Sequence, residues 1–198
     1  GDEDGAAQLV VQNRQAMLNS DRWYVLEKWL SLLPDNVIQQ RPELLLAQVW
    51  IYYFHYRYML IPSVLDLTES FLSNKPNEQE LYGEIYLFRG IFYFFQGDGE
   101  LSLKYIEKAL DRILEEYQMV RGFAETYFGV AGQIVGQKER VVRVLSDLLH
   151  HQPLNDLRKL RVMFVLVTIK IIAGDLTLAA TLNKQLKNFA IHIGSITF

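Results

Sequence analysis

The feature that most restricts what this chain can fold into is a recurrence. A turn at Gln96-Gly97-Asp98-Gly99 returns 39 residues later as Gly136-Gln137 and after another 38 residues as Gly174-Asp175. Gly90 precedes the first turn, Gly129 stands in the same place before the second, and Val167 before the third. The run Glu84–Leu114, EIYLFRGIFYFFQGDGELSLKYIEKALDRIL, predicts two helices across the first turn. The first carries Tyr86, Gly90, Tyr93 and Phe94; the second carries Ser102, Ile106, Ala109 and Leu110. Small residues at mid-helix let two backbones close on each other, and the aromatics beside Gly90 fill the space between one pair and the next. Such a pair cannot bury its apolar face alone, so copies must stack.

The pattern extends toward both ends. Residues 6–19 place Leu9, Val10, Met17 and Leu18 at helical spacing, and Asn19-Ser20-Asp21 supplies a break and an N-cap. Residues 22–33 put Leu26, Trp29, Leu30 and Leu33 on one stripe before Pro34 ends the helix, and Trp23 and Trp29 read as core. Asp35–Arg41 fits a short helical turn. Pro42 suits the first turn of a helix over 43–57 that is apolar nearly all round. Ser63–Leu72 follows Pro62, and Ser73-Asn74-Lys75-Pro76-Asn77 breaks the chain. Stepping back about 38 residues from Gly97 puts Met59 at a degenerate turn and Tyr52 at the Gly90 position. Later pairs are predicted at 117–135 with 139–150 and at 156–173 with 176–191. The expected fold is all-α: a right-handed α-solenoid of about five antiparallel helix pairs. It forms a single domain over 1–198, with repeats near 6–34, 42–74, 77–115, 117–152 and 155–195. No alternating run bounded by hairpin turns suggests a strand.

Hydrophobic residues make up 50% of the chain, enough for a core. The absence of cysteine excludes disulfides, a thiol nucleophile and thiolate metal sites. Charge is uneven: residues 1–119 carry 10 basic and 18 acidic residues, residues 120–198 carry 10 and 5, so the halves are −8 and +5. That imbalance suits a polar array whose ends attract neighbours, and neither half is basic enough for a dedicated nucleic-acid face. The apolar stretches Leu44–Phe54 and Val162–Ala173 are too short or interrupted to span a bilayer. A cytoplasmic location without membrane contact is expected. Gly1 with its acidic neighbours lacks an initiator methionine, and HIGSITF ends without a polar cap. A piece of a longer protein is therefore expected.

The run Asn19–Phe54, NSDRWYVLEKWLSLLPDNVIQQRPELLLAQVWIYYF, resembles the tetratricopeptide-like repeat region of MalT-like regulators. The resemblance lies in Leu26, Trp29, Leu30, Leu33 and Pro34, then Arg41, Pro42, Leu44, Leu45 and Leu46. It implies the sensor segment of a LuxR-type, ATP-dependent transcription activator, which receives an inducer or a regulatory protein and relays it to a nucleotide-binding switch. The chain has no Gly-x-x-x-x-Gly-Lys-Ser/Thr loop and no recognisable DNA-binding end, so the resemblance implies only the middle piece. A tetratricopeptide adaptor or scaffold from another multidomain protein is the alternative.

Catalytic patterning is sparse. His55, His150, His151 and His192 form no zinc-type spacing, Glu115-Glu116 point about 100° apart on a helix, and no Gly-x-Ser-x-Gly elbow occurs. Gly129, Gly132 and Gly136 read as a helix-packing face. No enzyme activity, cofactor or metal is expected. A binding groove is expected instead, lined by the first helix of each pair. Its candidates are Tyr53, Tyr56 and Arg57; Glu84, Leu87, Ile91 and Phe94; Thr126, Val130 and Gln133; and Arg161, Phe164 and Thr168. Tyrosine and arginine combine contact area with polar tips, which suits recognition of a protein or a small inducer.

Overall fold

A computed structural model describes residues 2–73 and 79–194. Those residues form eleven α-helices and one 3₁₀ turn, with no strand among them. In chain order the helices are α1 Glu3–Asn19, α2 Trp23–Leu30, α3 Asp35–Ile38, α4 Pro42–Phe54, α5 Ile61–Leu72 and α6 Gln79–Phe95. Then come α7 Gly99–Leu110, α8 Gln118–Ile134, α9 Lys138–His151, α10 Asp156–Ile172 and α11 Leu176–His192. The 3₁₀ turn, Tyr58–Leu60, leads directly into α5. The expected break at Asn74–Asn77 lies outside the described residues.

The helices pair as α1/α2, α4/α5, α6/α7, α8/α9 and α10/α11, and the first helix of each pair also packs on the first helix of the next. One device ends the first helix of every pair. A residue with positive φ follows the helix: Asp21 (58°), Tyr56 (59°), Gly97 (81°), Gly136 (78°) and Gly174 (75°). The next residue donates its N–H five positions back, in Arg22 to Met17, Arg57 to Tyr52, Asp98 to Tyr93, Gln137 to Gly132 and Asp175 to Lys170, at 2.7–3.0 Å. This is the Schellman cap, which satisfies carbonyls that a helix end leaves orphaned. The second turn therefore falls at Tyr56, not Met59, and Val49 rather than Tyr52 stands at the Gly90 position. Stepping back a fixed period missed this because α4 is four residues shorter than α6 (13 against 17) and carries no glycine to mark its end.

Counting from each positive-φ residue puts the copies in register. Seven residues before it stand Arg14, Val49, Gly90, Gly129 and Val167, and five residues after it stand Leu26, Ile61, Ser102, Val141 and Ala179; all ten are buried. These positions form the interface within each pair. A Cβ added to Gly90 would sit 2.6 Å from Ile106 Cδ1 and 3.1 Å from the Ser102 carbonyl oxygen, so only glycine permits that approach. At Gly97 and Gly136, by contrast, an added Cβ meets nothing within 4 Å. Their cost is conformational alone. Gly97→Ala and Gly136→Ala should each lose about 1–2 kcal/mol, the price of a left-handed L-residue. Urea midpoints would check this, and a loss at one turn but not the other would contradict their equivalence.

The pairs do not simply run on in a line. α1 folds back onto α8: Asn19 Nδ2 donates to the Glu116 carbonyl at 2.7 Å, and the Met119 N–H donates to Asn19 Oδ1 at 3.1 Å. Asn19 thus ties the first pair to the fourth instead of capping α2, whose N-cap, Arg22, makes no side-chain capping bond. A continuous apolar core runs from Ala7 to Ile169.

Candidate functional site

The side of the first helices that sequence spacing assigns to an open groove is largely filled with aromatic rings. α4 is apolar all round and is clasped between α1, α5 and α6. Its Trp50, Tyr53 and Phe54 meet Phe88 of α6 and Phe123 of α8. Trp50 is fully buried and lies edge-on to Phe88, with ring centroids 4.7 Å apart. Edge-to-face packing of this kind matches positive ring edges to negative faces. Tyr53 and Tyr127 bring their hydroxyls to 3.1 Å, and burial raises both phenols above their ordinary pKa.

Beneath the rings lies a buried ion pair. Arg14 donates Nη1 and Nη2 to the two carboxylate oxygens of Glu84 at 2.8 and 2.7 Å, and Trp50 Nε1 donates to the same carboxylate at 2.8 Å. Burial alone would weaken the Arg14 proton, but the charge and hydrogen bonds of Glu84 outweigh it and hold the guanidinium above the usual arginine range. A second buried pair, Arg158 with Glu125, joins α10 to α8, and Arg158 also reaches Glu115 at 2.9 Å.

The predicted groove residues therefore divide. Leu87 and Ile91 are core residues and Glu84 is wholly buried, so none of the three presents a surface. The fold-back of α1 explains this: it places Arg14 on Glu84 and closes the face from which these side chains would have projected. Thr126 is half-buried and turns its hydroxyl back to the Gly122 carbonyl at 2.8 Å, as Thr168 does to Phe164 at 3.0 Å. Val130 packs on the core. Arg161 is mostly buried, lies 5.0 Å over the Phe123 ring and donates to Asp21 at 3.2 Å; burial lowers its pKa. Phe164 is 56% exposed, away from these rings, on the outer face of α10/α11.

Tyr53, Tyr56, Phe94 and Gln133 converge on the edge where the hairpin turns lie. The left-handed residue at Tyr56 and the 3₁₀ turn after it push Tyr56 and Met59 into solvent, each 80% exposed. Tyr58 stacks on Phe95 at 4.6 Å and meets Tyr53 at 5.8 Å, and Phe94 meets Tyr127 at 5.4 Å. Two residues before each glycine turn stand Phe95, Ile134 and Ile172, which are 49%, 60% and 58% exposed. Three successive pairs thus show a large apolar side chain at one position of one edge. Arg57 adds a charge beside Tyr56, and Gln133 stands next to Ile134. Met59, Phe95, Ile134 and Ile172 escaped sequence reasoning because an apolar residue near a helix end reads as core. The signal that could have found them is their fixed offset from the turn glycine.

This edge offers apolar contact, ring faces and a few polar tips. Among the described residues no group of three or more His, Cys, Asp or Glu is placed to hold a metal. No helix among them is long and apolar enough to cross a membrane. No family model, curated protein or solved structure matches the chain.

Proposed function

We propose that this chain is a helical-repeat recognition module, a right-handed α-solenoid that serves as the sensor segment of a MalT-like transcription regulator. The observation that carries the recognition reading is the turn edge, where Tyr56, Met59, Phe95 and Ile134 stand exposed beside Arg57. Soluble surfaces seldom leave large apolar groups clustered unless something binds there. The five equivalent caps support the solenoid, and the residues of Leu26–Leu46 support the choice of regulator class. Tyrosine and arginine at the edge suit a regulatory protein, which would take the exposed rings as anchors. An inducer small enough to sit between Tyr56, Tyr58 and Phe95 would use the same rings.

The exposed apolar row in three successive pairs favours one second reading, a protein-binding scaffold from another multidomain chain, because a row is long enough for an extended partner. Both readings place recognition at the same edge. Tyr56→Ala should weaken capture of the partner at least tenfold in titration calorimetry, with helix content unchanged in circular dichroism. Unaltered affinity in Tyr56→Ala and in Phe95→Ala would remove the edge from the reading. A switch of transcription when the chain is joined to nucleotide-binding and DNA-binding domains would separate sensor from scaffold.

A further inference from the structure

The register that aligns the helix pairs also identifies what the two ends lack. Twelve residues before each positive-φ residue stand Leu44, Ile85, Ala124 and Val162, all 0% exposed; the corresponding residue of the first pair, Leu9, is 62% exposed. That position buries itself against the preceding pair, and α1 has none. Nine residues after each turn stand Leu30, Leu65, Ile106 and Leu145, exposed by 5% or less; in the last pair the position is Asn183, which is exposed. Ten residues before the turn, Leu46 and Leu87 are 0% exposed while Phe164 is 56% exposed. The two ends are thus complementary halves of the joint that already recurs four times within the chain.

Each half holds an open apolar cleft. One of about 440 Å³ lies between α1 and α2, lined by Leu9, Val10, Trp29 and Leu32. The other, about 520 Å³, lies between α10 and α11, lined by Leu160, Phe164, Leu186 and Lys187. Charge matches as well. The charged residues of α1 are Glu3, Asp4 and Arg14, and Arg14 is buried on Glu84, so its exposed face is acidic, with Asp2 ahead of it. Asp4 meets Arg41 at the rim. α11 has Lys184, Lys187 and His192 and no acidic residue. In the internal joints the incoming helix starts where the preceding second helix ends. An incoming α1 would therefore lay its acidic first turn beside the basic last turns of α11.

We infer that this chain associates head to tail with a second copy of itself, α1/α2 of one copy docking on α10/α11 of the next as α10 docks on α8/α9. Such a joint is heterologous, so it leaves both outer ends free and adds copies in an open row. Sedimentation velocity on the full chain tests it. The weight-average mass should climb with concentration past twice the 23.1 kDa chain mass, and fall as salt is raised. Leu9→Glu spoils only the head and Phe164→Glu only the tail, and each substitutes an exposed side chain. Each variant alone should stay at the mass of one chain, and their mixture should form a dimer and stop there. Lys184→Glu, a change of charge alone, should weaken the association of the wild-type sequence at least tenfold. A wild-type chain that remains single at every concentration would overturn the inference. So would a dimer of Leu9→Glu alone or an inert mixture. None of these variants touches Tyr56 or Phe95, so loss of self-association and loss of partner binding are separately visible.

Discussion

Arg14→Ala is expected to lower folding stability by about 3–5 kcal/mol, because it strands a buried carboxylate without its counter-ion. Glu84 is fully buried and accepts from two Arg14 nitrogens and from Trp50. Water cannot reach it in the native chain, so the charge left behind must be neutralised or the helices must part. For a chain of this size the loss corresponds to a fall in Tm of roughly 6–20 °C. The urea midpoint should shift at constant m-value, and raising the salt concentration should not restore it, since a buried pair is screened little. Replacing both partners, as in Arg14→Met with Glu84→Gln, should recover most of the loss. The amide retains an acceptor for Trp50 and no charge remains to be buried. A single variant that loses under about 1 kcal/mol would mean that the pair is solvated and that α1 does not close over α6.

Trp50→Ala should cost about as much, roughly 3–5 kcal/mol, by a different route. The indole is fully buried among Tyr53, Phe54, Phe88 and Phe123, so its removal leaves a cavity at the meeting of three helix pairs. Rings held by contacts with α4, α6 and α8 cannot collapse freely into that space, which keeps the cavity term large. Trp50→Phe separates packing from hydrogen bonding: it keeps most of the ring contact, loses the donor to Glu84, and should cost about 1–3 kcal/mol. Equal losses for Ala and Phe would show that the bond to Glu84, not the packing, carries the effect. Near-ultraviolet circular dichroism should weaken strongly in the Ala variant, because the stacked and edge-on rings lose their common anchor.

The helix pairs were legible because their cause is local. Gly97, Gly136 and Gly174 mark positions where the backbone must turn left-handed, and apolar spacing of three and four declares a helix wherever the partner lies. Tyr56 and Asp21 perform the same turn without glycine, which is why the second turn was misplaced by three residues, from Tyr56 to Met59. The candidate site was legible only in part. Tyr53, Tyr56, Phe94 and Gln133 reach the turn edge, whereas Glu84, Leu87 and Ile91 lie inside. Helical spacing states which residues share a face, but not whether a distant segment covers that face. Arg14 and Glu84 are 70 residues apart, and each alone looks like a solvated charge on a helix. So do Glu125 and Arg158.

What the amino-acid sequence determined on its own is the unit: an all-helical chain of paired helices, each pair ended by the same left-handed cap and closed at the same small or apolar positions. Backbone sterics and a 3.6-residue period act within about twenty residues, so one strand of text contains them. What only the tertiary structure decided is how the units curl. The return of α1 to α8 buries Arg14 against Glu84, fills the presumed groove with Trp50 and its neighbours, and leaves the turn edge and the two ends as the exposed apolar surfaces. That outcome depends on contacts between residues far apart in the chain. Their energy comes from desolvation and ring packing that no local pattern records.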